Sequence, residues 1–314
     1  MRAIAVSKFH AEPELVDVPT PTPAPGEVLV AVAAAGLNPF DWKVADGVLD
    51  GLAEHVFPLV MGTDFAGTIE AVGDGVTRFA VGDEVYGQAS RPPVGTGTYA
   101  EYVTVPQDGP IALAPRKIPM SQAAAVPTAG MTALGIVEAA GIQEYESLLI
   151  IGAAGGVGSF LTQLASAVDV RVLAAVRGPE EQRMGSLGAA VTIDTTVQPL
   201  TERIRDEYPE GVDALVDLAS GRDAFAAHAR LVHAGGVALS TTGAADPQEL
   251  ADEDIEGVNF GMSASAKTLT RLATEIDEGR LVVPIEHEVP LDQASGAITA
   301  NREGRARGKT VIRL

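Results

Sequence analysis

The chain has 314 residues, 46% of them hydrophobic, and carries 42 acidic against 22 basic side chains, for a formal net charge of −20 at pH 7. That length accommodates two globular domains, each with its own core, and the hydrophobic content excludes a disordered chain. The acidic balance makes nucleic acid a poor partner, and the absence of Cys excludes disulfides, thiolate nucleophiles and Cys-ligated zinc.

In chain order, short strands broken by Gly and Pro are predicted at residues 2–7, 27–34, 64–72, 84–88 and 98–105, the rhythm of a β-rich barrel or sandwich. The Pro-rich stretch VPTPTPAPG, residues 18–26, reads as a turn. The texture changes at SQAAAVPTAGMTALGIVEAAG, where a helix is expected from Ser121 as cap to Gly141 as stop. Strands and helices then alternate: strands at 147–151, 170–176, 190–194, 212–218 and 235–242, with helices near 156–168, before 187, at 201–207 and at 222–232. Apolar strands each followed by a helix require a parallel sheet covered on both faces, so the fold class is α/β, a β-rich domain plus a doubly wound one. After a helix near 267–278, strand-like text returns in VVPIEHEVP and GKTVIRL around a helix near 292–300, and this tail is expected to close onto the N-terminal domain. No apolar run reaches the roughly eighteen residues of a membrane span, and MRAIAVSKFH does not read as a signal peptide. A cytoplasmic protein without a membrane partner is expected.

Directly after the first strand of the parallel section comes GAAGGVG, with Gly152, Gly155 and Gly158 in GxxGxxG spacing. Such glycines allow a tight turn, close approach of backbone to a pyrophosphate, and close packing of the helix on the sheet. Strand, glycines and helix in this order predict a Rossmann dinucleotide-binding domain, with Gly152, Gly155, Gly156, Val157 and Gly158 at the pyrophosphate. At the end of the second strand, where an acid would accept the ribose hydroxyls of NAD, stands Arg177, which suits the 2′-phosphate of NADP. Its plainer reading is a solvated strand end. Arg183 is a second candidate base, Thr241 at the end of GGVALSTT is counted with the cofactor residues, and Arg305 stands for the C-terminal cluster Arg302, Arg305, Arg307 and Lys309. That cluster also reads as a solvated helix end.

Several further motifs occur in order: PTPAPGEVLVAVAAAGLNPFDWKVADG (21–47), FPLVMGTDFAGTIEAVG (57–73), FAVGDEVYG (79–87), GTYAEYVTVP (97–106) and the closing GKTVIRL. With the glycine turn they resemble the medium-chain dehydrogenase/reductase superfamily and, within it, the zinc-independent quinone oxidoreductase branch. The resemblance implies a GroES-like domain built from both chain ends, residues 1–118 with 285–314, and an inserted Rossmann domain at 119–284, with the active site in the cleft between them. In zinc-bearing relatives a Cys and a Gly-His-Glu supply ligands where this chain has Asn38 and Gly62-Thr63-Asp64. The implied activity is therefore hydride transfer from NADP(H) to a quinone or α,β-unsaturated carbonyl, whose conjugation spreads the incoming charge without a Lewis acid. Protonation follows from water or a nearby side chain. Carried over by position, Asn38 and Asp41 of NPFD are the catalytic candidates, Thr132 lies near the nicotinamide, and Asn259 with Phe260 near the carboxamide. Lys43 is a further candidate donor to a developing oxyanion, against a solvated reading.

Enoyl-thioester reductases similar to this family carry a Tyr shortly after the Gly that follows NPxD, whereas Gly47 is followed here by Val48, Leu49 and Asp50. A thioester reductase is one alternative, and a catalytically idle NADPH-binding protein on the same fold is another. No Tyr is followed four residues later by Lys, which argues against a short-chain dehydrogenase, and no GxSxG elbow is present for a serine hydrolase. His10, His55, His228, His233 and His287 match no metal spacing. The last apolar strand, GGVALSTT, is expected at an exposed sheet edge, where it would pair with its twin in a homodimer.

Overall fold

The computed structural model describes residues 1–306 and 308–314, so Arg307 of the C-terminal basic cluster lies outside the described residues. Contacts divide the chain into two units, Met1–Met131 with Ala264–Leu314, and Thr132–Ser263.

The first unit opens with β1 (Arg2–Val6), β2 (Glu14–Asp17), β3 (Glu27–Gly36), α1 (Pro39–Ala45), β4 (His55–Val60), β5 (Asp64–Val72), β6 (Glu84–Gln88), β7 (Val94–Thr96), β8 (Tyr102–Pro106) and β9 (Ile111–Leu113). A four-stranded sheet runs β2-β1-β4-β7, and β3 is central to a larger sheet, antiparallel to both β5 and β8. EVLVAVAAAG is apolar on both faces because β3 is nearly covered on both. The strand expected at 98–105 begins later, since its first residues serve the smaller sheet: Ile4 N donates to Tyr99 O at 2.8 Å and Tyr99 N to Met61 O at 2.9 Å. The single helix expected from Ser121 is two, α2 (Met120–Ala124) and α3 (Pro127–Ala140), because Pro127 has no N–H and its ring disfavours helix in the residue before it.

The second unit alternates β10 (Ser147–Ile151), α4 (Gly156–Ser166), β11 (Arg171–Val176), α5 (Glu181–Ser186), β12 (Val191–Asp194), α6 (Leu200–Glu207), β13 (Val212–Asp217), α7 (Arg222–Ala229), β14 (Val232–Ser240), α8 (Pro247–Asp252) and β15 (Glu256–Asn259). Its strands are all parallel in the order β12-β11-β10-β13-β14-β15, with Leu149, Leu173, Leu215, Phe225, Leu231 and Ile255 in one core. The order reverses between β10 and β13, the place where a doubly wound sheet binds ligands outside its carboxyl ends. The expectation that GGVALSTT forms the edge is corrected: β15 pairs in parallel outside β14, with Leu239 opposite Val258. EGVN is too short and too polar to announce itself as a strand.

The chain then returns through α9 (Ala266–Asp277), β16 (His287–Pro290), α10 (Ala294–Arg302) and β17 (Thr310–Arg313). The tail closes onto the first unit as expected, β17 lying antiparallel to β3 with β16 outside it. α9 also belongs there, although 119–284 was expected to form the second domain. Tyr86 Oη donates to Leu269 O at 2.5 Å, and Asp277 Oδ1 accepts from the amides of Arg116 at 2.8 Å and Lys117 at 3.1 Å. Ile4, Leu37, Leu59 and Tyr99 share a core with Leu291, Ile298 and Ile312 from the other chain end. Among the described residues no helix is long and apolar enough to cross a membrane.

Candidate functional site

In the second unit, β10 ends at Ile151 and Gly152 turns the chain at φ +80°, with the amides of Gly152 and Ala153 both reaching Ala175 O at 3.2 Å. Gly155 is the N-cap of α4 and has no side chain with which to cap it. A Cβ at Gly158 would lie 2.5 Å from the carbonyl oxygens of Gly152 and Ala153, so only glycine lets α4 start this close to the strand. The first amides of α4, from Gly156, Val157 and Gly158, lack intrahelical acceptors and sit at the positive end of the helix dipole, which together make an anion cradle. Arg183 braces this turn: its guanidinium donates to Ala154 O from both terminal nitrogens at 3.2 Å, to Ser159 Oγ at 3.1 Å and to Glu180 at 3.2 Å. Arg177, at the end of β11, is exposed and among the described residues has no ion-pair partner.

Across the switch point, fully buried Asp217 ends β13 and fixes the loop after it. Its Oδ1 accepts from the amides of Ala219 at 3.0 Å and Ser220 at 2.8 Å, while Oδ2 faces His228 Nδ1 at 2.9 Å. Burial works to raise its carboxyl, but His228 and the two amides outweigh it and hold the group below the usual carboxylate range. The side chains of Leu218 and Ala219 would lie 3.6 Å from a Cβ at Gly152, so the loop whose amides Asp217 holds lies beside the glycine turn. The sequence reading gave His228 no role. Thr241 N donates to Asp217 O at 3.1 Å, which places Thr241 at the same sheet end. Thr132 is buried in α3. Phe260 packs over Gly135, where a Cβ would meet its ring at 2.7 Å. Asn259 is committed to the backbone instead of being open to a carboxamide: its amide nitrogen donates to Ala245 O at 2.9 Å and its oxygen accepts from Ala245 N at 3.0 Å.

In the first unit, Asn38 and Asp41 are 5% and 3% exposed and belong to a buried polar cluster. Gly62, at φ +96°, makes the turn that delivers Thr63 and Asp64, and a Cβ there would overlap the Tyr99 ring at 2.4 Å. Asp41 Oδ2 accepts from Tyr99 Oη at 2.5 Å and Asn38 N at 2.8 Å, while Oδ1 accepts from Thr63 Oγ1 at 2.8 Å. Asn38 Nδ2 donates to Asp64 Oδ2 at 2.9 Å, and its Oδ1 accepts from Lys309 Nζ at 2.6 Å. Lys309 also donates to Leu37 O at 3.2 Å and lies 3.7 Å from Asp64 Oδ2. Thr128 closes the cluster, giving its amide to Asp64 Oδ2 at 3.0 Å and its hydroxyl to Asp64 Oδ1 at 2.6 Å. Burial pushes the Asp41 carboxyl up to about 6, with the nearby Asp64 charge adding to it, against the downward pull of Tyr99, Asn38 and Thr63. Burial pushes the Lys309 ammonium down, and the charges of Asp64 and Asp41 oppose that.

Three sequence expectations are corrected here. Asn38 has its amide consumed by Lys309 and Asp64, so it orders the cluster and does not reach outward. Lys43 is apart from the cluster, exposed, with its ammonium 5.7 Å from the Trp42 ring centroid. Among the described residues the C-terminal bases Arg302, Arg305 and Lys309 do not form a basic patch: Arg302 pairs with Asp46 at 2.8 Å, exposed Arg305 pairs with Glu303, and Lys309 is buried. Arg305 is thus neutralised; it belongs to the first unit and the glycine turn to the second. Tyr99, Thr128 and Lys309 were missed as site residues, although GTYAEY and GKTVIRL had been marked as motifs.

The chain matches the family model described as "Alcohol dehydrogenase GroES-like domain" over residues 24–116 and that described as "Zinc-binding dehydrogenase" over residues 187–312. The 2-methylene-furan-3-one reductase of Solanum lycopersicum is 32% identical over 294 residues, 91% of this chain and 71% of that protein. The chain belongs to the medium-chain dehydrogenase/reductase superfamily. Within it the chain falls in the quinone oxidoreductase-like branch: the quinone oxidoreductase from Coxiella burnetii superposes with a TM-score of 0.88 at 27% identity, covering 100% of this chain and 99% of that one. A mycobacterial protein solved in complex with NADPH superposes with a TM-score of 0.86 at 27% identity, covering 100% of both chains. As a member of this superfamily the chain is an oxidoreductase, and its glycine turn and open helix start fit a nicotinamide dinucleotide. Zinc does not fit the buried cluster. The chain has no Cys, Asn38 and Thr63 are engaged as hydrogen-bond donors, and the Lys309 ammonium already neutralises Asp64.

Proposed function

We propose that this medium-chain dehydrogenase/reductase is an NADPH-dependent reductase that passes hydride to quinones or α,β-unsaturated carbonyls without zinc. The observation that carries the reading is the Gly152–Gly158 turn, which opens the α4 amides at the switch point of a parallel sheet. Gly156, Val157 and Gly158 would hold the pyrophosphate, Arg177 the 2′-phosphate, and Thr241, Thr132 and Phe260 the nicotinamide half. The bound cofactor supplies the hydride. Around it, Arg183 and the Asp217–His228 dyad keep the turn rigid, so the phosphates meet a preorganised cradle. The preference for NADPH rests on Arg177, which stands at the end of β11 with its charge uncommitted. The substrate class is supported by the names of the relatives, one a quinone oxidoreductase and one a reductase of a conjugated ketone. The working arrangement is a cytoplasmic homodimer paired through the β15 edge, and sedimentation as a monomer at micromolar concentration would remove it.

The test is steady-state NADPH oxidation with a quinone, a conjugated enone, an enoyl thioester and a saturated ketone. Turnover with the first two and none with the saturated ketone is expected. Turnover with the thioester alone makes the protein an enoyl-thioester reductase, and NADPH binding without turnover makes it an idle binding protein.

A further inference from the structure

The segment joining β11 to α5 carries one base and two acids, Arg177, Glu180 and Glu181. In a doubly wound sheet this strand end meets the adenosine ribose, where a carboxylate accepts the ribose hydroxyls and repels a 2′-phosphate. Glu181 is exposed, so water and salt screen it. The Glu180 side chain is only 16% exposed, so its charge is felt more strongly. Glu180 stands at the N-cap of α5, yet its side chain accepts no capping bond from that helix. Its carboxylate pairs instead with Arg183 Nη1 at 3.2 Å. The same guanidinium is anchored on the glycine turn and α4: both terminal nitrogens donate to Ala154 O at 3.2 Å, and Nη2 donates to Ser159 Oγ at 3.1 Å. Ser159 Oγ in turn donates to Gly155 O at 2.9 Å. Asp194, the acid that ends neighbouring β12, is occupied as well, its Oδ1 accepting from Gly178 N at 2.9 Å, Thr196 N at 2.9 Å and Thr196 Oγ1 at 2.7 Å. Arg177 is left as the exposed base of this strand end.

We propose that Arg183 is a positioning residue that sets cofactor choice: by pairing with Glu180 against the glycine turn it removes the acid that would select NADH, and leaves Arg177 to select NADPH. This rests on the NADPH reading above. The sequence reading took Arg183 as a second base for the cofactor, but its terminal nitrogens carry four N–H bonds and the turn, Ser159 and Glu180 use all of them. Arg183 therefore acts through Glu180 and does not itself grip the 2′-phosphate. The pairing has two effects on that phosphate. It cancels a negative charge at the strand end that would otherwise repel it, and it occupies the carboxylate oxygen that would otherwise accept from a ribose hydroxyl. All of these groups belong to the unit that holds the glycine turn.

The test measures the Kd of NADPH and of NADH by fluorescence titration of the full chain, in wild type, Arg183→Met, Glu180→Gln and the double variant. Arg183→Met should lower the preference for NADPH over NADH by about tenfold, because the released carboxylate faces the extra charge of NADPH alone. The lost brace on Ala154 O weakens both cofactors and cancels in the ratio. Adding Glu180→Gln to Arg183→Met should restore the wild-type ratio, a rescue that a merely structural role for Arg183 does not produce. Glu180→Gln alone should leave the ratio within about twofold, since the pairing has already neutralised that charge. Should Arg183→Met fail to fold, Arg183→Gln keeps a donor to Ala154 O, drops the charge and is read in the same way. A ratio that ignores the Arg183 substitution, or that Glu180→Gln does not restore, overturns the proposal. So does a Glu180→Gln single variant with a strongly raised NADPH preference, which would mean that Glu180 faces the phosphate in wild type. A wild type that binds NADH as tightly as NADPH overturns the NADPH reading itself, a result obtained before any variant is compared.

Discussion

Replacing Asp41 with Asn should make the protein less sensitive to pH, because Asn reproduces the protonated carboxyl in this cluster. The Asn oxygen can accept from Tyr99 and Asn38 N as Oδ2 does, and its amide can donate to Thr63, whose hydroxyl turns to accept. In wild type the carboxyl rises from 3.8 unfolded to about 6 folded, chiefly through burial. The folded state thus binds more protons across that window, so the contribution is full below about pH 3.8 and lost as pH rises through about 6. A shift of that size corresponds to about 3 kcal/mol. Urea unfolding of the two proteins should therefore give stabilities that diverge by about 3 kcal/mol between pH 4 and pH 7, with Asn gaining on Asp. Carboxylates away from the cluster titrate equally in both and cancel in the difference. Parallel stability curves across this range would show that Asp41 ionises without a burial cost and would refute the reasoning.

Arg177→Ala should weaken NADPH binding by about 1.5–3 kcal/mol, the worth of a hydrogen bond to a charged group, and leave NADH nearly unchanged. The ratio of the two Kd values measures it, and an equal change in both would mean that Arg177 is a solvated strand end. Gly158→Ala places a methyl 2.5 Å from two backbone oxygens that cannot yield without moving α4. It should cost about 1–3 kcal/mol in thermal or urea unfolding and weaken both cofactors together in titration calorimetry. Lys309→Met leaves Asp64, 0% exposed, without its counter-charge and should cost about 3–5 kcal/mol. Adding Asp64→Asn should return part of that loss in the same unfolding assay, and strict additivity would mean the pair does not interact.

The parallel section and its glycine turn were legible in the sequence because their signals are local. An apolar strand such as SLLII needs neighbours on both sides, and GAAGGVG directly after it lets a helix begin where no side chain fits. The expected strand at 147–151 and the helix start at Gly156 both stand in the structure. Other features depended on partners far along the chain. β15 is a strand because β14 lies beside it, and α9 joins the first unit because Tyr86 and the backbone at Arg116 reach it. The polar cluster is the clearest case. NPFD pointed to Asn38 and Asp41, but their hydrogen-bond partners Asp64, Tyr99 and Lys309 come from elsewhere, the last 271 positions from Asn38. Burial then set the electrostatics of the cluster: it closed Asn38 and Asp41 off from solvent, pushed the Asp41 carboxyl up to about 6, and left Thr63 and Thr128 only half-buried. Residue identity determines which protons a site can hold, and the tertiary environment determines at what pH and toward which neighbour they move.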